Sequence, residues 1–503
     1  MTDATGLIDY LGAIGSADGV LPWPRYRVER SAWLALRDRL AQTNWSLLAL
    51  WGEPKLVQLA LREESSGRHA LVRLDCPEGS FPSIGAVRPG AIRLERAMRD
   101  LHALDAEGAV DTRPWLDHGR WGAISRLMAA APYPFLAVEG EGVHQIPVGP
   151  VHAGIIEPGH FRFHANGEAV VRLEERLGYV HKGTERLMQG KTVLEAARLA
   201  ARLSGDATVA YGIAFARAVE QALGLEIPPR AVYLRALMAE LERIANHFGD
   251  LGAICNDASF GFIQAHATVA RERVLDASEA CFGHRLMMDR VTPGGVGADL
   301  PPTGERRLGQ LMTELAASLA YLMRIYENKP SLLDRTVSTG VTLSELVHRF
   351  AAGGFVGRAS GRAVDARKSP GYAPYDDLDF EVPLRGEGDV HARLMVRIGE
   401  LTQSFRLVQQ LLDRMPGGEI NRTLPDSPST GAAGEGVADA ESFRGDVFVY
   451  VRLDREGRVE RCHPRDPSWF QWPLLEAAVE NNIVADFPLC NKSFNCSYSG
   501  HDL

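Results

Sequence analysis

The segment after Pro228-Pro229 restricts the possible folds most strongly, because its apolar residues recur at helical spacing over about four turns. These residues are Leu234, Leu237, Met238, Leu241, Ile244, Ala245 and Phe248. Positions i, i+3, i+4 and i+7 share one side of a helix, so the spacing predicts a helix with a buried face. A second such helix is predicted from Leu401, Phe405, Val408, Leu412 and Met415, ending at Pro416. Two helices of this kind indicate a mainly helical body.

The first part of the chain has a different pattern of apolar residues, typical of a small α/β unit. Residues 31–40 have helical spacing, and Ser31 is suited to cap the start of that helix. Apolar runs at 45–51 and 69–74 predict strands. Prolines and glycines between 130 and 149 predict a connector. The fold class is therefore predicted as α+β, an N-terminal α/β module followed by a mainly helical domain with small β-sheets.

The composition changes again toward the C-terminus. Residues 425–442 are rich in Ser, Gly, Ala and acidic residues, which predicts an exposed loop. The β-branched and aromatic run 447–453 then predicts a strand. The sequence shows no internal repeat, so the sheets are not expected to come from a repeated unit.

Composition and charge exclude several classes of function. A chain of 503 residues suggests two or three domains. Its net charge of -9 does not favour binding to the negatively charged backbone of nucleic acid. No apolar run approaches the roughly 20 residues that span a bilayer, so membrane association is expected to go through partners. The N-terminus lacks a secretory signal, and six cysteines in this length do not make a disulfide framework. The expected setting is the reducing cytosol.

The block that begins at Phe81 resembles the C-type subunit of respiratory complex I. Its matching residues are Glu95, Arg96, Arg99, Asp100, Leu101, Asp111, Arg113 and Pro114. His102 and Ala103 stand where that family has Phe-Gly. The resemblance implies a C-type domain over residues 1–135 and a linker over residues 136–148.

From Gly149 onward the chain resembles the D-type subunit of complex I and the large subunit of group 4 nickel–iron hydrogenases, such as formate hydrogenlyase. The matching blocks include GPVHAGIIEPGHFRF, LGYVHKGTERLMQGKT, AELERIANHFGDLGAICNDASF, DRTVSTGV and GDVHARLMVRIGEL. They run in the family's order and cover nearly all of residues 149–503. The resemblance therefore implies a fused C-type and D-type chain.

The resemblance also shows what this chain has lost. The family's hydrogenases hold nickel by two C-x-x-C pairs, because soft thiolates suit this metal. Ser204 and Ala207 stand at the first pair of positions, and Ser497 and Gly500 stand at the second. None of the four offers a thiolate, so no metal or other cofactor is expected in this chain, and an active hydrogenase is disfavoured.

Two cysteines near the lost second pair leave an alternative open. Cys490, Cys496 and His501 are one possible displaced metal site. The other interpretation is two small buried residues that simply pack, as free cysteines often do. Even under the first interpretation, the first pair of positions supplies no thiol.

Four polar residues are candidates for chemistry because they match the family's functional positions. Glu185 matches the hydrogenase glutamate that passes protons to and from the metal, and its alternative is an ion pair with Arg186 or Lys191. His152 and Glu157 lie in the loop that contributes to the quinone site of complex I. Asp257 corresponds to a buried aspartate near that site, or simply ends its helix.

The residues that bind quinone in complex I are missing at the matching positions. Gly205 replaces the quinone-binding tyrosine, and Ile156 replaces the histidine. Tyr211 and His160 are nearby in the sequence but out of register. The chain therefore carries neither the hydrogenase signature nor the complete quinone signature.

The resemblance implies a subunit of an ion-translocating respiratory complex on the cytoplasmic face of the inner (cell) membrane. Its implied partners are a small iron–sulfur B-type-like subunit, a ferredoxin-like cluster subunit, and integral membrane H-type-like and antiporter-like subunits. Electrons would arrive from the partner's iron–sulfur cluster, with a quinone or small oxidant as the acceptor. The rival interpretation is a non-catalytic scaffold that joins the cluster subunit to the membrane arm.

Overall fold

The computed structural model describes residues 6–19, 22–119, 121, 133–154, 156–425, 427 and 434–503. Its N-terminal part is built on a five-stranded sheet with the order β1-β2-β5-β4-β3. The strands are β1 (Ser16–Ala17), β2 (Arg25–Val28), β3 (Trp45–Glu53), β4 (Leu56–Glu63) and β5 (His69–Asp75). Strand β2 is parallel to β5, whereas the other neighbours are antiparallel. The strands predicted at 45–51 and 69–74 are confirmed as β3 and β5.

Helices and a small parallel ribbon accompany this sheet. They are α1 (Leu7–Ile14), α2 (Arg30–Leu40), α3 (Ile92–His102), β6 (Ser80–Pro82) and β7 (Asp105–Glu107). The prediction that Ser31 caps α2 is wrong, because the helix already begins at Arg30. Glu29 occupies the cap position without a side-chain hydrogen bond to the helix.

The next sheet begins inside the predicted connector. It has the order β10-β9-β8 and contains β8 (Val143–Val148), β9 (His160–Asn166) and β10 (Ala169–Arg176). Residues 130–132 of the connector lie outside the described residues, and residues 133–140 have no regular structure. The last part of the predicted linker is thus a strand that pairs antiparallel with β9.

The remainder is mainly helical, which confirms the predicted α+β class. The helices are α4 (Thr184–Met188), α5 (Val193–Ala200), α6 (Thr208–Leu223), α7 (Pro229–Asp257), α8 (Gly261–Phe282), α9 (Gly304–Glu327), α10 (Pro330–Thr336), α11 (Ser344–Phe350), α12 (Gly354–Ala359), α13 (Val390–Asp413), α14 (Ser468–Val479), α15 (Phe487–Phe494) and α16 (Tyr498–Asp502). A short hairpin joins β11 (Val291–Thr292) to β12 (Gly295–Val296). The two helices predicted from apolar spacing are α7 and α13, and every apolar residue that predicted α7 is buried. None of the described helices is long and apolar enough to cross a bilayer.

The last sheet corrects one prediction. It contains β13 (Gly434–Ser442), β14 (Gly445–Leu453) and β15 (Val459–Arg465), and its middle strand β14 confirms the strand predicted at 447–453. The exposed loop predicted for 425–442 is wrong over 434–442, because β13 is almost entirely buried. Its small residues let helix α6 approach closely: a Cβ on Gly436 would lie 1.9 Å from the carbonyl oxygen of Ala218.

The N-terminal sheet packs against this last sheet. Their shared apolar contact joins Leu48 and Trp51 of β3 to Val437, Phe448 and Tyr450. An ion pair of 2.7 Å between Arg452 and Glu53 closes one side of the junction. The junction matters for function because strand β15, which carries two partners of Glu185, lies in the same sheet.

Candidate active site

The two segments that carry the lost nickel positions meet in the structure. Ser204 precedes a short turn at 205–207 that leads into α6, and Ser497 begins α16. The Oγ atoms of Ser204 and Ser497 are 2.9 Å apart, at hydrogen-bonding distance, and both residues are buried. Ser497 also accepts a hydrogen bond of 2.9 Å from the backbone N–H of Gly500. The two distant segments are therefore in direct contact.

The other two positions carry no ligand atom, and Gly500 is closely surrounded. Ala207 is buried and ends the short turn. A Cβ on Gly500 would lie 2.5 Å from Oδ2 of Asp466 and 2.9 Å from Oγ of Ser497. Contacts this short are below what real Cβ atoms show, so a thiolate at position 500 requires Asp466 to move.

An ion pair fills the space beside the two serines. The guanidinium of Arg444, which is 3 % exposed, donates to Asp206 at 2.7 Å and to the Ser204 hydroxyl at 3.4 Å. Burial alone would raise the pKa of Asp206, but the Arg444 guanidinium and the Ser204 hydrogen bond hold it below its usual value. Asp206 therefore stays ionised, and its charge is matched by the arginine.

A second polar pair closes the site on its other side. The hydroxyl of Tyr211 donates to Asp466, which also accepts a hydrogen bond of 2.8 Å from the backbone N–H of Ser468. Burial, followed by the charge of Asp466, raises the pKa of Tyr211 well above its ordinary value. The tyrosine thus remains protonated and bound to the carboxylate, rather than facing an open quinone cavity.

These residues do not fit a nickel–iron centre. The four expected ligand positions supply two hydroxyls and no thiolate, whereas this metal needs soft sulfur donors. The space is occupied by the Arg444–Asp206 pair and by Asp466. Across the described ranges, no three His, Cys, Asp or Glu side chains are grouped so that they could hold a metal ion.

The alternative metal site is not assembled either. Cys490 packs against Gly340, whereas Cys496 lies 4.0 Å from the side-chain oxygen of Gln471. His501 pairs with Asp502 at 2.8 Å. Burial raises the pKa of the Cys490 thiol to about 12 and that of Cys496 well above its usual value, so both are protonated thiols. The structure favours the interpretation that the two cysteines simply pack.

Glu185 lies at the start of α4, and strand β15 holds it. Its carboxylate accepts from Arg461 at 2.6 Å and from Nδ1 of His463 at 2.7 Å. Burial alone would raise the pKa of Glu185, but Arg461 and the hydrogen bond from His463 hold it well below its usual value. The partners are thus neither Arg186 nor Lys191, and the carboxylate is firmly ionised rather than poised to titrate.

The other predicted residues are distributed around the site. Glu157 is half-buried and accepts a hydrogen bond of 3.4 Å from the backbone N–H of Ser499, which places it beside the Ser497 segment. Burial raises the pKa of Glu157. His152 instead closes its own loop through a hydrogen bond of 2.8 Å to the carbonyl oxygen of Gly159.

Asp257 and His160 have local surroundings of their own. Asp257 is the last residue of α7, as its helix-terminal interpretation expects, and burial raises the pKa of its carboxyl. His160 is buried, and its Nδ1 lies 3.4 Å from the carbonyl oxygen of Gly149. The structure therefore joins Ser204, Ser497 and Glu157 in one region but leaves Asp257 at the helix end.

Sequence reasoning missed the charged partners of this region. They are Asp206, Arg444, Arg461, His463 and Asp466. The sequence did contain a signal for them. Arg444 directly precedes the strand predicted at 447–453, and Arg461, His463 and Asp466 lie close together in one segment. Charged residues beside an apolar strand are rarely buried unless they are paired.

Comparisons with known proteins agree with this arrangement. The family described as "Respiratory-chain NADH dehydrogenase, 49 Kd subunit" matches residues 261–430 and 427–502. The family described as "Nickel-dependent hydrogenase" matches residues 182–252, which include Glu185, Ser204 and Ala207. The two matches cover successive parts of the chain, with Ser204 in the hydrogenase match and Ser497 in the other.

Curated relatives come from both branches. A D-type subunit of the NADH-quinone oxidoreductase of Roseiflexus sp. is 34 % identical over 68 % of this chain and 94 % of its own length. The membrane-bound hydrogenase subunit alpha of Pyrococcus furiosus is 32 % identical over 68 % of this chain and 83 % of its own. Formate hydrogenlyase subunit 5 of Escherichia coli is 30 % identical over 86 % of this chain and 78 % of its own.

Proposed function

Because the chain belongs to the family that unites the 49-kDa subunit of the respiratory-chain NADH dehydrogenase with the large subunits of nickel-dependent hydrogenases, we propose that it is the large, cluster-facing subunit of a membrane-bound redox complex. In this proposal the complex moves ions and works without a nickel–iron centre. Residues 1–135 serve as its C-type domain and residues 149–503 as its D-type domain.

One observation carries the proposal that nickel chemistry has been replaced. The lost thiolate positions converge on a buried Ser204–Ser497 hydrogen bond, with the Arg444–Asp206 ion pair in the adjoining space. A protein that kept an empty metal cradle would leave polar groups without partners, at a cost of about 1–3 kcal/mol for each buried group. Here the hydroxyls and charges satisfy one another, which supports a site rebuilt for a different use.

Electrons in this proposal come from an iron–sulfur cluster of a partner subunit, and a quinone or small oxidant receives them. Two cavities border the candidate residues, one beside Asp206 and Glu242 and one beside Glu185 and His463. Their volumes are about 10 and 20 Å³, which suits at most one water molecule. A quinone would therefore be held between this chain and a partner.

The proposed partners follow from the relatives. Two of them are named as subunits of a quinone oxidoreductase and of a membrane-bound hydrogenase. We propose that this chain assembles with a small iron–sulfur B-type-like subunit, a ferredoxin-like cluster subunit, and integral H-type-like and antiporter-like subunits. Its proposed place is peripheral, on the cytoplasmic face of the membrane.

A second candidate function is a scaffold that joins the cluster subunit to the membrane arm. The firmly ionised Glu185 and the closed serine pair favour it, because neither offers an open catalytic position. Both candidates predict an assembled complex, but only the redox candidate predicts turnover that depends on residues of this chain.

The test is purification of the complex through an affinity tag on this chain, followed by identification of its subunits and reduction by a low-potential donor. Oxidation of the reduced clusters by a short-chain quinone supports the redox proposal. Clusters that stay reduced with every quinone tested, in a complex with the full set of subunits, would favour the scaffold. Isolation of this chain without any cluster-bearing or membrane subunit would contradict both.

A further inference from the structure

A small cavity lies at the junction between the N-terminal sheet and the helical body. Its volume is about 20 Å³, enough for one water molecule. Glu185 borders it from α4, and the N-terminal part contributes strand β3 and helix α3. Its polar or aromatic lining residues are Trp51, His102, Glu185, Arg461, His463 and Trp469.

His463 lines this cavity and has one ring nitrogen without a partner among the described residues. Nδ1 of His463 donates to the ionised Glu185 carboxylate at 2.7 Å, so its other nitrogen, Nε2, carries a lone pair. Nε2 is buried and has no hydrogen-bond partner within the described part of the chain, and the residue is 6 % exposed. The Trp51 ring stacks on the imidazole with centroids 5.2 Å apart and planes 10° apart, which fixes its orientation.

Three other lining residues carry buried N–H groups without a partner among the described residues. These groups are Nε1 of Trp51, Nε1 of Trp469 and Nε of Arg461. Buried polar groups in folded proteins are nearly always paired, so four unpaired nitrogens around one cavity call for a polar occupant. One water molecule, which accepts two hydrogen bonds and donates two, can pair with His463 Nε2 and with at most two of the three donors.

His102 lines the same cavity from α3. It is half-buried at the end of α3, beside the exposed Leu101, and it stands where the C-type family has phenylalanine. Burial and the nearby Arg461 lower the pKa of His102 to about 4, so the imidazole is neutral near pH 7. This departure from the family pattern thus adds a polar ring with two nitrogens at the cavity wall.

We propose that Glu185 and His463 form a buried carboxylate–imidazole dyad in which His463 Nε2, not Glu185, takes up a proton from solvent through a water in this cavity, with His102 at its entrance. The proton binds at Nε2 while Nδ1–H stays hydrogen-bonded to Glu185, giving an imidazolium–carboxylate pair. Release reverses the same step. Glu185 is then a positioning residue whose charge stabilises the protonated ring.

The surrounding charges are consistent with this assignment. Facing the dyad are Glu185 from α4, His102 from α3, Arg461 and Arg465 from β15, and Glu53 from β3. The two arginines disfavour protonation of His463, and Glu185 favours it. Because burial also lowers the pKa of His463, the ring is neutral at rest, and the Glu185 charge offsets part of the cost of protonating it.

The test is hydrogen–deuterium exchange at the C2 position of individual histidines, followed by mass spectrometry of the intact complex across the pH range in which histidine titrates. This exchange requires both a protonated ring and access to water. His144 is exposed and serves as the open reference, whereas the completely buried His247 serves as the closed one. We expect His463 to exchange measurably faster than His247, with a defined pH midpoint.

Three variants separate the parts of the proposal. Glu185→Gln should lower the His463 midpoint by about 1–3 pH units, because an opposite charge within hydrogen-bonding distance shifts a pKa by that amount. His102→Phe, which restores the family's residue, should slow His463 exchange toward the rate of His247. His102→Gln keeps a polar entrance and should preserve exchange. Unchanged rates at His144 and His247 show that each variant is folded.

A His463 as protected as His247 in the wild type would overturn the proposal. A His463 midpoint unmoved by Glu185→Gln would overturn the dyad, and equal exchange in His102→Phe and wild type would overturn the entrance. The use of this proton site in turnover rests on the proposed redox function. The exchange itself is measured without turnover, so its outcome is independent of whether the complex reduces a quinone.

Discussion

Ser204 and Ser497 are 293 positions apart in the chain, yet their hydroxyl oxygens lie 2.9 Å apart in the core of the protein. The contact joins the start of the helical body to its last helix. The resemblance to nickel–iron hydrogenases implies that those enzymes have metal-binding thiolates at these two positions. A neutral hydrogen bond therefore connects the two segments that a metal would otherwise join.

The first prediction concerns this hydrogen bond. A double-mutant cycle with Ser204→Ala and Ser497→Ala should give a coupling energy of about 0.5–1.5 kcal/mol, the usual net contribution of a hydrogen bond. Amide hydrogen exchange of residues 498–502 measures the local opening free energy in the assembled complex. Ser493→Ala paired with Ser204→Ala is the control, because Ser493 bonds instead to Arg393 and Cys490. Coupling no larger than in the control would contradict the contact.

The second prediction concerns Gly500. Gly500→Ala should destabilise the protein by about 1–3 kcal/mol, because the added Cβ would lie 2.5 Å from Oδ2 of Asp466. Gly205→Ala is the matched control, since a Cβ there meets no atom within 4 Å. Thermal unfolding of the complex carrying each variant measures the difference. Equal melting of the two variants would show that the site has space for a ligand side chain.

The third prediction concerns the stability that Glu185 contributes. Glu185→Gln leaves Arg461 buried without its carboxylate, which typically costs roughly 3–5 kcal/mol. Because the folded-state pKa of Glu185 is depressed, this contribution is present above about pH 4.3, its unfolded value, and is lost as pH falls toward the folded pKa. Unfolding of wild type and variant should therefore differ most near neutral pH and converge in acid.

A control for that prediction is Arg186→Gln, which removes a neighbouring charge whose described hydrogen bond is to the exposed Gln189. Its effect should stay within about 0.5 kcal/mol, the usual range for a surface substitution. A stability difference for Glu185→Gln that persists undiminished in acid would contradict the assigned charge state.

The fourth prediction concerns turnover. Glu185→Gln should lower electron transfer to the acceptor, or coupled ion movement, at least about tenfold per assembled complex, because it removes the charge that stabilises a proton on His463, and proton transfer contributes about 10²–10⁴-fold. Wild type and variant are purified through a tagged partner so that only assembled complexes are compared. Equal activity per complex would remove Glu185 from the mechanism and support the scaffold.

The sequence predicted the parts of the fold that have strong periodicity. Helix α7 was predicted because its apolar face is regular and buried over its whole length. Strand β13 was missed because its glycines and alanines resemble a loop, although they serve to admit helix α6. Their role depends on a neighbour that lies about two hundred residues away in the chain, which local composition does not encode.

The candidate site was also predicted only in part from the sequence. Motif positions predicted that Ser204 and Ser497 share one site, because the family places ligands there. The partners of Glu185 were not predicted, since Arg461 and His463 come from a strand 276 and 278 residues further along. The sequence suggested the neighbouring Arg186 or Lys191 as ion-pair partners, but tertiary packing supplied a buried guanidinium and imidazole instead.

The most direct test of the central claim is the metal content of the complex purified through this chain. We predict iron from the partner's clusters and nickel far below one atom per chain, because Ser204, Ala207, Ser497 and Gly500 supply no thiolate and the Arg444–Asp206 pair fills the adjoining space. Elemental analysis of the complex, grown with ample nickel, measures both metals. About one nickel per chain, with hydrogen evolution from a low-potential donor, would contradict the account.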